Sequence, residues 1–139
     1  MAGIRPPASV PAGPDPAQAE LRRARGLLTQ AELVTGPSGR FVAALAAAES
    51  FGIAALRTRP ARVRGGDVWR PLAAAIPEFA EWAGFFAACG QRLRSRPDPA
   101  VIVTSREADD LVRDAVRFGE EVSRWIVRHR SSGLERGTA

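Results

Sequence analysis

Apolar residues recur by threes and fours along most of this chain, the spacing that lines one face of an α-helix. Between about Ala17 and Val34 the stripe consists of Leu21, Ala24, Leu28 and Ala31. The segment Thr35–Gly39, "TGPSG", joins a proline to two glycines and predicts a break. A second helix is expected from about Arg40 to Thr58, carrying Phe41, Val42, Leu45, Ala48, Gly52, Ile53 and Leu56 at helical spacing. The basic stretch "RPARVRGGD" reads as a turn, and its Asp67 is placed to cap the next helix. Beyond it Trp69, Leu72, Ile76, Phe79, Ala83, Phe86 and Leu93 keep the rhythm, while Trp82, Phe85 and Cys89 widen the face. So broad an apolar surface predicts burial on more than one side. Pro77 has no amide hydrogen to give, so this region should split into a short helix and a longer one.

The last helix is announced by Thr104 and Glu107, a capping box in which each side chain satisfies an orphan backbone amide. Ala108, Leu111, Val112, Ala115, Val122, Trp125 and Ile126 mark its inner face. No segment alternates convincingly with period two, and no glycine-rich phosphate loop is present. The pattern predicts an all-α, up-and-down bundle of four to five helices, with short connections and hence mostly antiparallel neighbours. The domain should span residues 17–129, between a Pro/Ala-rich tail at 1–16 and a polar tail at 130–139 that are both expected to be disordered.

Composition narrows the functional classes. A chain of 139 residues suits one domain with one core. All twenty basic residues are arginine, and the net charge of +5 permits binding to a polyanion without requiring it. Cys89 and His129 are each the only residue of their kind, so no intrachain disulfide, no zinc site, no other metal and no cofactor is expected. The opening "MAGIRPPASVPAGPDP" carries five prolines and lacks the apolar run of a secretory signal. The longest mostly apolar run, Phe41–Leu56, contains Glu49 and is short for a membrane span, so it reads as a buried helix. A cytoplasmic protein with no membrane partner is the expectation.

The one stretch with catalytic potential is "RWIVRH", Arg124 to His129. Histidine can shuttle a proton near neutral pH, and arginine can stabilise the added charge when RNA is cleaved through its 2′-hydroxyl. Residues five apart are rotated about 140° on an ideal helix, so the pair would have to meet across a groove or a symmetric interface. A cationic helix end also offsets the helix dipole with no further role. In an up-down-up-down bundle the second and last helices end where the first begins. That pole would gather Arg22, Arg23 and Arg25 with Arg57, Arg59, Arg62, Arg64, Arg124, Arg128 and Arg130, a surface suited to a phosphate backbone. Glu49 lies on an apolar stripe, so its carboxylate needs an arginine from another helix or a polar groove. Asp109 and Asp110 point about 100° apart on a helix and make a poor metal chelate.

The segments "ARGLLTQAE", "DVWRPLAAAIPEFAEWAGFFA" and "VTSREADDLVRDAVRF" resemble the small stand-alone HEPN-domain proteins of actinobacteria, over about residues 20–126. HEPN denotes the higher eukaryotes and prokaryotes nucleotide-binding family. The resemblance implies a four- to five-helix bundle, often a homodimer. Many HEPN domains are metal-independent endoribonucleases that use an arginine and, four to six residues on, a histidine, shared across a dimer. Here that pattern falls on Arg124 and His129, with Trp125 where active members commonly carry a polar residue. Other members lack the pair and act as binding modules or toxin–antitoxin partners. The leading expectation is a HEPN domain that binds a nucleotide, RNA or protein partner without robust catalysis. The alternatives are a dimeric ribonuclease using Arg124 and His129, and a structural interaction module presenting apolar surface on its third and fourth helices.

Overall fold

The computed structural model describes residues 15–59, 67–95 and 103–138, with side chains through residue 130. Helix α1 (Pro16–Leu33) is capped by Asp15, whose Oδ1 accepts the amide of Ala17 at 2.9 Å, and Pro16 stands where an amide hydrogen would have no partner. Helix α2 (Pro37–Leu56) begins three residues before the sequence reading placed it. The reason is that Pro37 sits in its first turn, where proline's fixed φ favours a helix, and Gly36 supplies the extended cap. The expected break at Thr35–Gly39 thus shortens to Val34–Gly36.

Asp67 acts as anticipated, its Oδ1 accepting the Trp69 amide at 3.0 Å ahead of α3 (Trp69–Ala75). Ile76 leaves helical geometry, Pro77–Phe79 make one 3₁₀ turn, and α4 follows (Ala80–Arg94). Helix α5 (Ser105–Thr138) opens with the capping box complete. The Thr104 amide donates to Glu107 Oε1 at 3.0 Å, and the Glu107 amide donates to Thr104 Oγ1 at 3.1 Å. The helix continues to Thr138, past residue 129 where the apolar periodicity stops. No proline interrupts this stretch, so every backbone donor can join the ladder.

The described residues form an all-α bundle without strands. Helix α2 lies at its centre, packed along α1 and α5, and α3 and α4 fold against each other with α3 also touching α2. By length and composition α2 could cross a membrane, yet most of its residues are buried in the bundle. The inner face predicted for α5 is realised: Ala108, Leu111, Ala115, Val122, Trp125 and Ile126 are buried, and Val112 packs at the core's edge. Phe118 joins them and anchors a run of aromatic contacts. Its ring centroid lies 5.2 Å from Phe86 and 5.7 Å from Phe79, which in turn lies 5.9 Å from Trp125.

The wide face of α4 is a partial correction. Ala83 and Phe86 are buried, but Trp82 and Cys89 are only partly covered and Phe85 is 42% exposed. The Phe85 ring packs edge-on against Trp82 and Phe86 and leaves its outer side open.

Candidate functional site

The pole formed by the ends of α2 and α5 and the start of α1 assembles as the bundle topology requires. Four contacts tie it together. Arg130 pairs with Asp15, Arg57 approaches Glu20 at 3.9 Å, Arg25 Nη2 donates to Ser123 Oγ at 3.4 Å, and Arg59 lies 5.1 Å over the Trp125 ring. Arg22, Arg23, Arg124 and Arg128 are exposed around them. Arg62 and Arg64 lie outside the described residues. The pole is therefore rich in arginine, but Asp15 and Glu20 offset part of its charge.

Within this pole Arg124 and His129 take different surroundings. Arg124 borders a groove of about 340 Å³ with Arg25, Leu28, Phe51, Val116, Gly119, Glu120 and Ser123. At its floor Gly119 lets the Phe51 ring approach the α5 backbone closely. A Cβ built on Gly119 would stand 2.6 and 2.8 Å from two Phe51 ring carbons. His129 is half-buried and stacks on Trp125, with ring centroids 4.1 Å apart. Its Nδ1 lies 2.9 Å from the Trp125 carbonyl oxygen. A carbonyl can only accept, so this bond places the proton on Nδ1 and leaves Nε2 as the nitrogen able to take one. Trp125 is itself held firmly, 1% exposed, with its indole Nε1 donating to Glu78 Oε1 at 3.0 Å.

Arg124 thus addresses the α1–α5 groove, while His129 belongs to a cluster with Trp125, Arg59 and Glu78. The stacking explains why the position after Arg124 is aromatic here: Trp125 closes the core beneath the pole and supplies the surface on which His129 rests.

Among the described residues Glu49 does not form the close ion pair considered from the sequence; it lies in the polar setting that was the alternative. It lines a cavity of about 640 Å³ with Asp67, Trp69, Ala87, Ala88, Gly90, Gln91 and Arg94. Burial pushes its carboxyl above the ordinary range, and the Arg94 guanidinium pulls it partly back. Asp109 pairs with Arg40 and Asp110 with Arg113, so both serve as surface partners of arginine. No group of acidic, histidine or cysteine side chains suited to a metal ion occurs among the described residues.

Sequence reading overlooked a cleft of about 470 Å³ between α4 and α5, lined by Glu78, Glu81, Trp82, Phe85, Asp114 and Glu121. Trp82 Nε1 donates to Glu121 Oε1 at 3.1 Å across it. Desolvation raises the Asp114 carboxyl above its ordinary range; Arg117 opposes this, Asp110 adds to it, and Arg113 opposes it. The signal was present in the sequence: Trp82 and Phe85 fall on one face of α4, with Glu78 in the turn just before it, and 114 and 121 share one face of α5.

No curated protein and no solved structure matches the chain. A family model described as SAV_6107-like HEPN matches residues 17–123, from the first turn of α1 to the residue before Arg124. With most of its length matched and the all-α bundle in place, the chain belongs to the HEPN family, and the Arg124–His129 pair lies just beyond the matched region.

Proposed function

We propose that this chain is a HEPN-type binding module that holds a polyanionic ligand, RNA or a nucleotide, on its arginine-rich pole without robust catalysis. The observation that carries the reading is the gathering of Arg57, Arg59, Arg124, Arg128 and Arg130 at one end of the bundle. Arginine suits this role because its planar fork matches phosphate oxygens and stays charged at any physiological pH. The groove beside Arg124 adds the exposed cation of Arg25 and an apolar floor of Leu28 and Phe51, a setting for a phosphate and the sugar or base attached to it. The different surroundings of Arg124, on the groove, and His129, stacked on Trp125, favour binding over chemistry in a single protomer.

The test is anisotropy of a labelled single-stranded RNA over a range of salt. Neutralising several phosphates releases counterions, so log K should fall by about 0.7 for each phosphate contact per decade of salt. Arg57→Ala, Arg124→Ala and Arg128→Ala should each weaken binding and make that slope shallower. Binding indifferent to salt and to all three changes would remove the pole from the account, and protein partners would take the place of RNA.

A second reading keeps one observation in its favour. The bond from His129 Nδ1 to the Trp125 carbonyl orients the ring and its tautomer, as a general base requires. In a homodimer whose two-fold axis runs past the pole, Arg124 of one copy would face His129 of the other. Metal-independent RNA cleavage would then depend on both residues.

A further inference from the structure

The cavity beside Glu49 lies where α2, α3 and α4 meet, and two glycines shape it. Residues 45, 49 and 52 share one face of α2. At one end of that face Leu45 packs on Gly90 of α4, its Cδ2 3.7 Å from where a Cβ would stand. At the other end Gly52 admits Trp69 of α3, whose ring lies 3.4 Å from the site of a Cβ. Glu49 is thereby set between the two close approaches, on the wall of the space that they frame. That space, about 640 Å³, falls within the usual range of small-molecule sites.

The opposite wall comes from α4, where Ala87, Gly90, Gln91 and Arg94 recur by threes and fours on one face. It is small-sided at 87 and 90 and polar at 91 and 94. Arg94 Nη2 donates to Gln91 Oε1 at 3.1 Å, and Gly90 leaves room for Arg94 Nη1, 3.2 Å from the site of a Cβ. The guanidinium is therefore laid back along its own helix. Trp69 is buried and stacked on Phe86 with centroids 5.2 Å apart, so it supplies a rigid aromatic wall. Glu49 and Arg94 border this one cavity without pairing. Desolvation raises the Glu49 carboxyl and Arg94 pulls it only partly back, so an ammonium group brought to it would replace hydration that burial removed. A ligand that is only an anion would meet the carboxylates of Glu49 and Asp67, and one that is only a cation would meet Arg94. A ligand bearing both charges satisfies both sides.

We infer that this cavity binds a free amino acid in its zwitterionic form, its ammonium on Glu49, its carboxylate on Arg94 and a large apolar side chain against Trp69. The site is separate from the arginine-rich pole, none of whose described residues lines it, so its occupancy does not depend on polyanion binding there.

The experiment titrates the full chain with L-phenylalanine and with L-leucine to millimolar concentration, following the indole N–H resonances of its three tryptophans. Hydrocinnamate, which carries only the carboxylate, and phenethylamine, which carries only the amine, are titrated beside them. The Trp69 resonance should shift with both amino acids while that of Trp125 stays fixed, and each analogue should bind about fivefold more weakly than L-phenylalanine. Glu49→Gln should weaken L-phenylalanine binding about tenfold, and Arg94→Gln, at the exposed rim, about fivefold. Neither change removes a packed apolar side chain, and the Trp125 resonance reports the fold. No shift at Trp69 with either amino acid would overturn the inference, as would a shift at Trp125 in its place. Binding of equal strength by the single-charge analogues, or amino-acid binding that survives both substitutions, would also overturn it, since apolar contact alone would then account for the affinity.

Discussion

Replacing Gly119 by alanine should destabilise the bundle, although alanine is the better helix former by about 0.5–1 kcal/mol. The added Cβ would meet Phe51 ring carbons at 2.6 and 2.8 Å, where carbon atoms ordinarily rest at about 3.5–4.0 Å. Phe51 is 2% exposed and cannot swing into solvent without opening the α2–α5 contact. Overpacking of this kind costs about 1–3 kcal/mol, and a rigid, enclosed ring puts the cost in the upper half of that range. After the gain in helix propensity the net loss is about 1–2 kcal/mol, or a fall in Tm of roughly 3–10 °C for a domain of this size. Urea denaturation followed by far-UV circular dichroism gives the free energy directly, with an unchanged m-value expected. Gly26→Ala is the internal comparison, because nothing lies within 4 Å of a Cβ there and propensity alone should stabilise α1. If Gly119→Ala proved as stable as wild type, the close approach of Phe51 to α5 would be wrong, and with it the floor of the groove beside Arg124.

Two further substitutions test local physics. Thr104→Ala removes one half of the capping box and should cost about 1 kcal/mol in the same urea experiment. Glu49→Gln tests the cavity beside Arg94: burial raises the folded-state pKa of Glu49, so the stability tied to its protonated form is complete below the unfolded value and is lost as pH rises through the raised one. The variant should therefore melt higher than wild type at about pH 7.5, and the gap should close towards about pH 4.

Much of the fold was legible because its determinants are local. Thr104 and Glu107 stand three apart and can do little but cap a helix, Asp67 precedes an apolar run, and Pro77 forbids a continuous helix by its own geometry. The inner face of α5 could be read because every residue on it repeats at the helical period. Other features depended on position. Pro37 read as part of a break, yet one turn into a helix its missing amide hydrogen matters little. The end of α5 was misplaced because apolar periodicity stops near residue 129, while a backbone free of proline continues as helix to Thr138.

The candidate site was harder to read for a different reason. That Arg124 and His129 share a helix follows from sequence, and so does their angular separation. What each touches does not, since the groove beside Arg124 needs residues of α1 and α2 packed against α5, and the rest for His129 is supplied by Trp125, with Glu78 behind it. The α4–α5 cleft escaped notice because its acids are scattered over more than forty positions and meet only when the two helices pack. Glu49 showed the limit of pattern reading in the other direction. An acid on an apolar stripe was expected to find an arginine or a polar groove, and the half-open cavity beside Arg94 is the second of these.

The measurement that bears most directly on the account is incubation of purified protein with RNA in EDTA, beside His129→Ala and Arg124→Ala, scoring binding and cleavage together. The account predicts salt-sensitive binding with no cleavage, weakened by Arg124→Ala and little altered by His129→Ala. Cleavage by wild type that either substitution abolishes, with fold and oligomeric state unchanged, would contradict it and make the pole a shared active site between two copies.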